Sequence, residues 1–112
     1  MNYIDRGTKA AEFDFESPGT LTLDSNPHLL DLSSIIPANA QEVHIMVGVM
    51  STPALGFFFV RKEGNDNNNS IVRTQVATVQ INAEFMVPVN AQEIEYMGDV
   101  TGAGLSVLGW LV

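Results

Sequence analysis

The side chains able to do acid–base or metal chemistry are two histidines and 13 acidic residues. His28 follows Pro27 in a segment of turn composition, and His44 lies between Val43 and Ile45, so its side chain points away from theirs on a strand. A zinc site needs further ligands at recognisable spacing, and a hydrolytic triad needs a nucleophile, a base and an orienting acid. The histidines lack such further ligands, and although the residue types of a triad are present, no nucleophile-elbow motif is. We therefore expect no enzymatic activity, no catalytic residue, no metal site and no cofactor.

Alternating carboxylates raise the question of glycoside hydrolysis, which depends on two carboxyl groups facing each other across a cleft. Glu12, Asp14 and Glu16 alternate with phenylalanines, and Glu93 and Glu95 share one face of a later segment. Such alternation is more typical of the solvent face of a strand. We interpret these acids as surface residues and keep an enzyme only as a residual alternative.

The segment from Asn65 to Asn69 offers the oxygen ligands that calcium prefers. It holds a single carboxylate and lacks the EF-hand spacing with its terminal glutamate. Asparagine is also favoured in turns because it tolerates positive φ. The segment is predicted to be an exposed loop, and calcium binding stays an alternative.

Short extended segments separated by turns must position all of these side chains. No window of 11 or more residues keeps helical spacing of apolar positions while avoiding Gly and Pro. Instead, about eight to ten short strands occur at spacings typical of all-β domains. The pattern predicts an all-β, two-sheet antiparallel sandwich, with a jelly roll as its topology. We expect one domain over residues 21–112, preceded over residues 1–20 by an extended N-terminal arm or edge strand.

One short sequence is nearly repeated, first from Pro37 to Met46 and again from Pro88 to Met97. In both copies a proline ends an extended segment, Asn-Ala-Gln-Glu forms a polar turn, and an alternating strand follows. Two copies do not make a repeat array, which needs at least three stacked units. We interpret them as two equivalent corners of the sandwich.

Composition limits the classes of partner. The formal net charge is −8, and the five basic residues are scattered along the chain, whereas nucleic acids and anionic membranes attract clustered Lys and Arg. We therefore expect neither as a partner. With no cysteine the fold has no disulfides, and 46% hydrophobic residues are enough for a packed core. The first residues lack the pattern of a secretory signal, and Met1 with the apolar last strand leads us to expect a complete chain.

Aromatic side chains are the candidates for an interface. Phe57, Phe58 and Phe59 are consecutive, so they cannot all face one core. One side of this strand must meet the second sheet, a loop or another subunit. The predicted oligomer or shell interface consists of Phe13, Phe15, Phe57, Phe58, Phe59 and Trp110. The alternative, that each lies in the chain's own core, is equally open for any one of them.

Several phrases resemble small β-sandwich proteins and domains of tailed bacteriophages, which occur among head decoration and tail fibre components. They are Leu32 to Pro37, Val72 to Ala77, Glu93 to Tyr96 and Val107 to Trp110. The resemblance covers about residues 29–112 and not the N-terminal segment. It implies a structural role in the virion, commonly as a trimer, without enzymatic activity. It carries over no functional residue.

Two functions are compatible with this resemblance. In the first, the chain is a capsid decoration (cement) protein, made in the host cytoplasm, that binds the major capsid protein or other virion proteins as a homotrimer. In the second, it is a tail fibre or carbohydrate-binding module that recognises a receptor. Most aromatic residues fall in predicted strands rather than loops, which favours the first.

Overall fold

A computed structural model describes residues 1–7, 13–52, 56–64 and 70–112, which form nine β-strands. Within these ranges there is no helix, and hence none long and apolar enough to cross a membrane. The strands are β1 (Tyr3–Asp5), β2 (Phe15–Ser17), β3 (His28–Asp31), β4 (Glu42–Met50), β5 (Phe57–Arg61), β6 (Ser70–Arg73), β7 (Ile81–Pro88), β8 (Glu93–Gly98) and β9 (Gly102–Leu111).

The strands form two antiparallel sheets that pack together as a β-sandwich. Sheet 1 has the order β1-β9-β4-β7, and β2 pairs with the same edge of β9 as β1 does. Sheet 2 has the order β3-β8-β5-β6. The prediction of an all-β, two-sheet antiparallel sandwich is thus confirmed.

Period-two alternation places the core between the sheets. In β4 the side chains of Val43, Ile45 and Val47 are completely buried, while those between them face the other side of sheet 1. Phe58 and Ile94 reach the same core from sheet 2. Each large apolar side chain buried in this way contributes roughly 1.5–3 kcal/mol to folding.

Strand β9 is the longest strand and holds sheet 1 together. One edge pairs with β4, and the other pairs with β1 near its end and with β2 near its start. The register between β4 and β9 shifts at His44, where Leu108 is the extra residue of a β-bulge. Residues 3–5 and 15–17 therefore lie along one edge of β9. Whether residues 1–20 act as an arm toward a neighbouring subunit stays a prediction.

The two copies of the repeated sequence lie side by side at one end of the sandwich. The first leads from β3 in sheet 2 to β4 in sheet 1, and the second leads from β7 back to β8. The amide group of Gln92 donates to the carbonyl of Ile36 (2.7 Å), and the N–H of Val89 donates to the carbonyl of Gln41 (3.1 Å). Both copies are corners between the sheets, and each bonds to the other.

Candidate interaction surface on sheet 1

The three consecutive phenylalanines divide between the two sides of sheet 2. Phe58 is completely buried in the core, where its ring stacks on Tyr96. Phe57 and Phe59 lie on the opposite side with ring centroids 6.1 Å apart, and the Arg61 guanidinium lies 5.2 Å from the Phe59 centroid. Phe59 is buried within the chain and Phe57 is half-buried.

The other predicted interface residues lie on sheet 1, so the structure does not bring the six together. Phe15 and Trp110 are partly buried and pack against the core. Phe13 instead lies on the outer side of sheet 1.

Glycines in neighbouring strands provide the surface on which Phe13 rests. Gly48 in β4 and Gly104 in β9 are paired across the ladder. A Cβ atom added to Gly104 would lie 2.3 Å from Phe13 Cδ2, and one added to Gly48 would lie 2.8 Å from Phe13 Cζ. The ring thus occupies space that any other residue type would fill. Close approach of this kind is a recognised reason for glycine inside a strand.

A third glycine, Gly109, lets Tyr3 reach across β9. A Cβ on Gly109 would lie 2.4 Å from the Tyr3 hydroxyl and 2.5 Å from the backbone oxygen of Ile4. The Tyr3 hydroxyl is 2.9 Å from His44 Nδ1, and His44 Nε2 is 2.9 Å from Glu84 Oε1. A chain of three polar side chains therefore links β1, β4 and β7.

Donor and acceptor roles in this chain follow from the carboxylate. Glu84 only accepts, so Nε2 of a neutral His44 carries the proton, Nδ1 accepts and the Tyr3 hydroxyl donates. Partial burial raises the pKa of Tyr3, and the negative charges of Asp5 and Glu84 raise it further. The hydroxyl therefore stays protonated over the physiological range. The arrangement ties the N-terminal strand to the sheet.

An ion pair fills the gap between β1 and β2 beside the bulge. Arg6 Nη1 donates to Asp14 Oδ2 (2.5 Å), and it also donates to the carbonyl of Val107 (3.2 Å). Asp14 Oδ2 accepts the N–H of Val107 (2.9 Å), while the N–H of Arg6 donates to Leu108 O. The pair satisfies backbone groups that the edge of β9 would otherwise expose there.

The outer side of sheet 1 combines exposed apolar side chains with acids. We call it the sheet 1 face and define it by Tyr3, His44, Met46, Glu84 and Met86. Tyr3 is 46% and Met86 40% exposed, and the Glu84 side chain is 58% exposed. Flexible methionines are frequent on surfaces that bind other proteins. An exposed apolar set bordered by charge is a typical interaction surface.

Sequence reasoning missed this surface. No sequence pattern predicts that Tyr3 contacts His44, and His44 is predicted only to lie on one face of a strand. A usable signal was present in Gly104 and Gly109, because glycine inside a strand indicates that something approaches closely.

Two acids interpreted as surface residues are half-buried. Glu95 pairs with Arg61 across β8 and β5, and its side chain is 16% exposed. Glu93 is also half-buried. The solvent face predicted for this strand therefore includes an ion pair that packs beside Phe59.

The second histidine has a local role at the start of β3. His28 Nε2 is 2.8 Å from Asp24 Oδ1, and its ring packs against Tyr96. The hydrogen bond from His28 lowers the pKa of Asp24, with a smaller contribution from the N–H of Asn26.

We predict that replacing His28 with alanine raises the pKa of Asp24 toward its ordinary value, because the largest cause of the depression is lost. A carboxyl group whose pKa is lower in the folded than in the unfolded state stabilises the fold at pH values above its unfolded-state pKa. This stabilisation is lost as the pH falls through the folded-state pKa. The acid side of the stability profile should therefore flatten in the variant. The pKa of Asp24 is measured in the unsubstituted chain and in the variant from its carboxyl carbon shift, followed by NMR from neutral to acidic pH. An unchanged Asp24 titration in the variant would contradict the assignment.

The metal hypotheses find no support in the described ranges. No group of three or more His, Cys, Asp or Glu side chains there is arranged to hold a metal ion. The segment Asn65 to Asn69, for which calcium was an alternative, lies outside the described residues, as does Glu12.

Comparison of the chain with protein-family models, with curated proteins and with solved structures found no match.

Proposed function

We propose that this chain is a non-enzymatic structural protein of a bacteriophage virion, a capsid decoration protein that stabilises the shell through contacts between its own copies and with the major capsid protein. The observation that carries the proposal is the sheet 1 face, with exposed Tyr3 and Met86 beside acids. An isolated domain gains nothing by exposing these side chains to water, whereas an interface buries them.

Charge indicates how copies of the chain would meet. Glu84 on the sheet 1 face and nearby Asp5 are acidic and exposed, while Lys62 and Arg73 are exposed on the β5–β6 side of sheet 2. Two sheet 1 faces pressed together would bring like charges into contact. A contact between the sheet 1 face of one copy and the β5–β6 side of the next joins opposite charges. Head-to-tail contacts close into a ring when the rotation from one copy to the next divides a full turn, and we infer a ring of three.

The strand order supports a jelly-roll assignment within this proposal. The last eight strands divide between the sheets in the orders β2-β9-β4-β7 and β3-β8-β5-β6. A jelly roll has eight strands in two sheets joined by Greek-key connections, and it occurs in viral capsid proteins. Fold alone does not determine function, so this likeness only adds to the argument from the exposed surface.

We predict that Met86→Glu converts a trimer in solution into a monomer. The substitution adds a charge to the sheet 1 face, beside Glu84, without touching the core, because Met86 is already 40% exposed. The mass measured by light scattering should fall about threefold, consistent with loss of the heterologous contact. Leu29→Glu is the matched control, since Leu29 is 49% exposed on sheet 2 and lies outside the proposed contact. A monomeric unsubstituted chain, or a trimer that survives Met86→Glu, would contradict this interface.

The virion role is tested by labelling purified particles of the encoding phage with an antibody against this chain. Labels distributed over the head are expected for a decoration protein. Labels confined to the tail would favour the alternative, a tail fibre module, and unlabelled particles would overturn both.

A further inference from the structure

A pocket of about 240 Å³ opens on the outer side of sheet 1 beside the Phe13 ring. Gly102, where an added Cβ would have only the Ser17 oxygen within 4 Å, forms part of its floor, and Gly104 lies beside it under the Phe13 ring. Glu16, Met50 and Gln80 line it and are exposed. The pocket is bordered by β2, β4, β9 and the segment before β7, so secondary structure positions most of its walls.

The pocket combines apolar and polar groups in a small volume. The Phe13 ring and the Met50 side chain provide apolar contact, and the Glu16 carboxylate accepts hydrogen bonds. Gln80 Nε2 donates to Asn82 Oδ1 (3.1 Å), which fixes the orientation of the amide and leaves its carbonyl oxygen as an acceptor. A bound molecule would thus find a carboxylate, an amide carbonyl oxygen and an aromatic ring together.

This combination selects among classes of ligand. Glu16 disfavours an anion, and the volume is below the range of about 300–1,000 Å³ that holds drug-sized ligands. An apolar ligand would cover the Glu16 carboxylate and the Gln80 carbonyl oxygen without offering them a hydrogen bond. Neutral hydroxyl groups both donate and accept, and the C–H face of a sugar ring packs well on an aromatic ring.

We propose that this pocket binds a single neutral pyranose residue of a glycan. Phe13 and Met50 contact the C–H face of the sugar, and Glu16 and Gln80 bind its hydroxyl groups. The site goes beyond the proposed structural role and does not depend on it. If the chain bound no sugar, the antibody against it would still label the phage head, so the two proposals fail separately.

The test is titration of the protein with the methyl glycosides of glucose, galactose, mannose and N-acetylglucosamine, followed by amide NMR shifts. At least one is expected to give saturable shifts at Gly102, Gly104 and Gln80, with dissociation constants on the order of 1 mM. No saturable shifts with any of the four would overturn the proposal.

Blocking variants test the location of the site. Gly102→Phe should weaken binding by at least about tenfold, or about 1.4 kcal/mol, because a Cβ there has no neighbour closer than the Ser17 oxygen at 3.9 Å and the ring would enter the pocket. Leu29→Phe adds the same ring on the other sheet and should leave binding unchanged. Gln80→Ala, at an exposed position, is expected to weaken binding without affecting folding. Unchanged affinity in both pocket variants would overturn the assignment.

A cationic ligand is the competing occupant, since an aromatic ring and a carboxylate also suit an ammonium group. Lysine amide serves as the probe. Sugar binding should be insensitive to salt, whereas binding of a cation to Glu16 would weaken with salt and disappear in Glu16→Gln. Saturable, salt-sensitive binding of lysine amide without binding of any glycoside would overturn the proposal.

Discussion

Replacing Phe58 with alanine is expected to lower the free energy of unfolding by about 3–5 kcal/mol. The ring is completely buried between the sheets and stacks on Tyr96, so the substitution removes apolar contact and leaves a cavity. Because a domain of this kind is stable by only about 5–15 kcal/mol, the variant should unfold at far lower denaturant concentration. Urea unfolding followed by circular dichroism measures the change.

The matched control is Phe57→Ala, one position earlier in the same strand. Phe57 is half-buried on the outer side of sheet 2 and contacts Phe59. Its replacement by alanine therefore removes less buried apolar surface than Phe58→Ala does, and it leaves no closed cavity. We expect less than half the loss found for Phe58→Ala. Equal losses would contradict the assignment of Phe58 to the core. A lower solution mass with unchanged stability would instead place Phe58 in a subunit interface.

This pair of substitutions marks the limit of sequence reasoning about β5. Alternation requires that Phe58 face one way and Phe57 and Phe59 the other, which the structure confirms. It does not determine which side is the core, because a shift of one residue exchanges the sides. In β4 the polar neighbours of Val43 and Ile45 remove that ambiguity, whereas three identical residues provide no such contrast.

The corners were predictable and their contact was not. Turn residues at Pro37 and Pro88 are a local signal, so their interpretation as corners needed no knowledge of the rest of the chain. The bond from Gln92 to the carbonyl of Ile36 joins positions 56 residues apart. Such a pairing follows from strand order in the two sheets, which alternation does not determine.

The candidate surface was missed for the same reason. The hydrogen bond between Tyr3 and His44 joins residues 41 positions apart, and the bond from His44 to Glu84 spans a further 40. Neither pair forms a motif in the sequence. Glycines in the last strand did carry the information that a neighbour approaches closely, but they could not identify Tyr3 or Phe13 as that neighbour.

Replacing Gly104 with valine is expected to detach the segment around Phe13 from sheet 1 and to lower the free energy of unfolding by about 2 kcal/mol. A Cβ at this position would lie 2.3 Å from Phe13 Cδ2, so the ring must leave its place on the glycines. Loss of this contact weakens the pairing of β2 with β9, which is only three residues long. Hydrogen exchange measured by mass spectrometry should show faster exchange over residues 13–17 than in the unsubstituted chain, with β4 still protected.

Gly102→Val is the matched control, two positions earlier on the same side of β9. A Cβ there has only the Ser17 backbone oxygen within 4 Å, at 3.9 Å, so the same side chain fits without displacing the ring. Because valine suits a strand better than glycine, this variant should be as stable as the unsubstituted chain or slightly more so, with unchanged exchange over residues 13–17. If both valines destabilise the protein equally, the cause is a general intolerance of side chains on this side of β9. If neither does, Phe13 does not depend on the paired glycines, and the N-terminal segment must be held by its hydrogen bonds to the edge of β9 and by the Arg6–Asp14 pair.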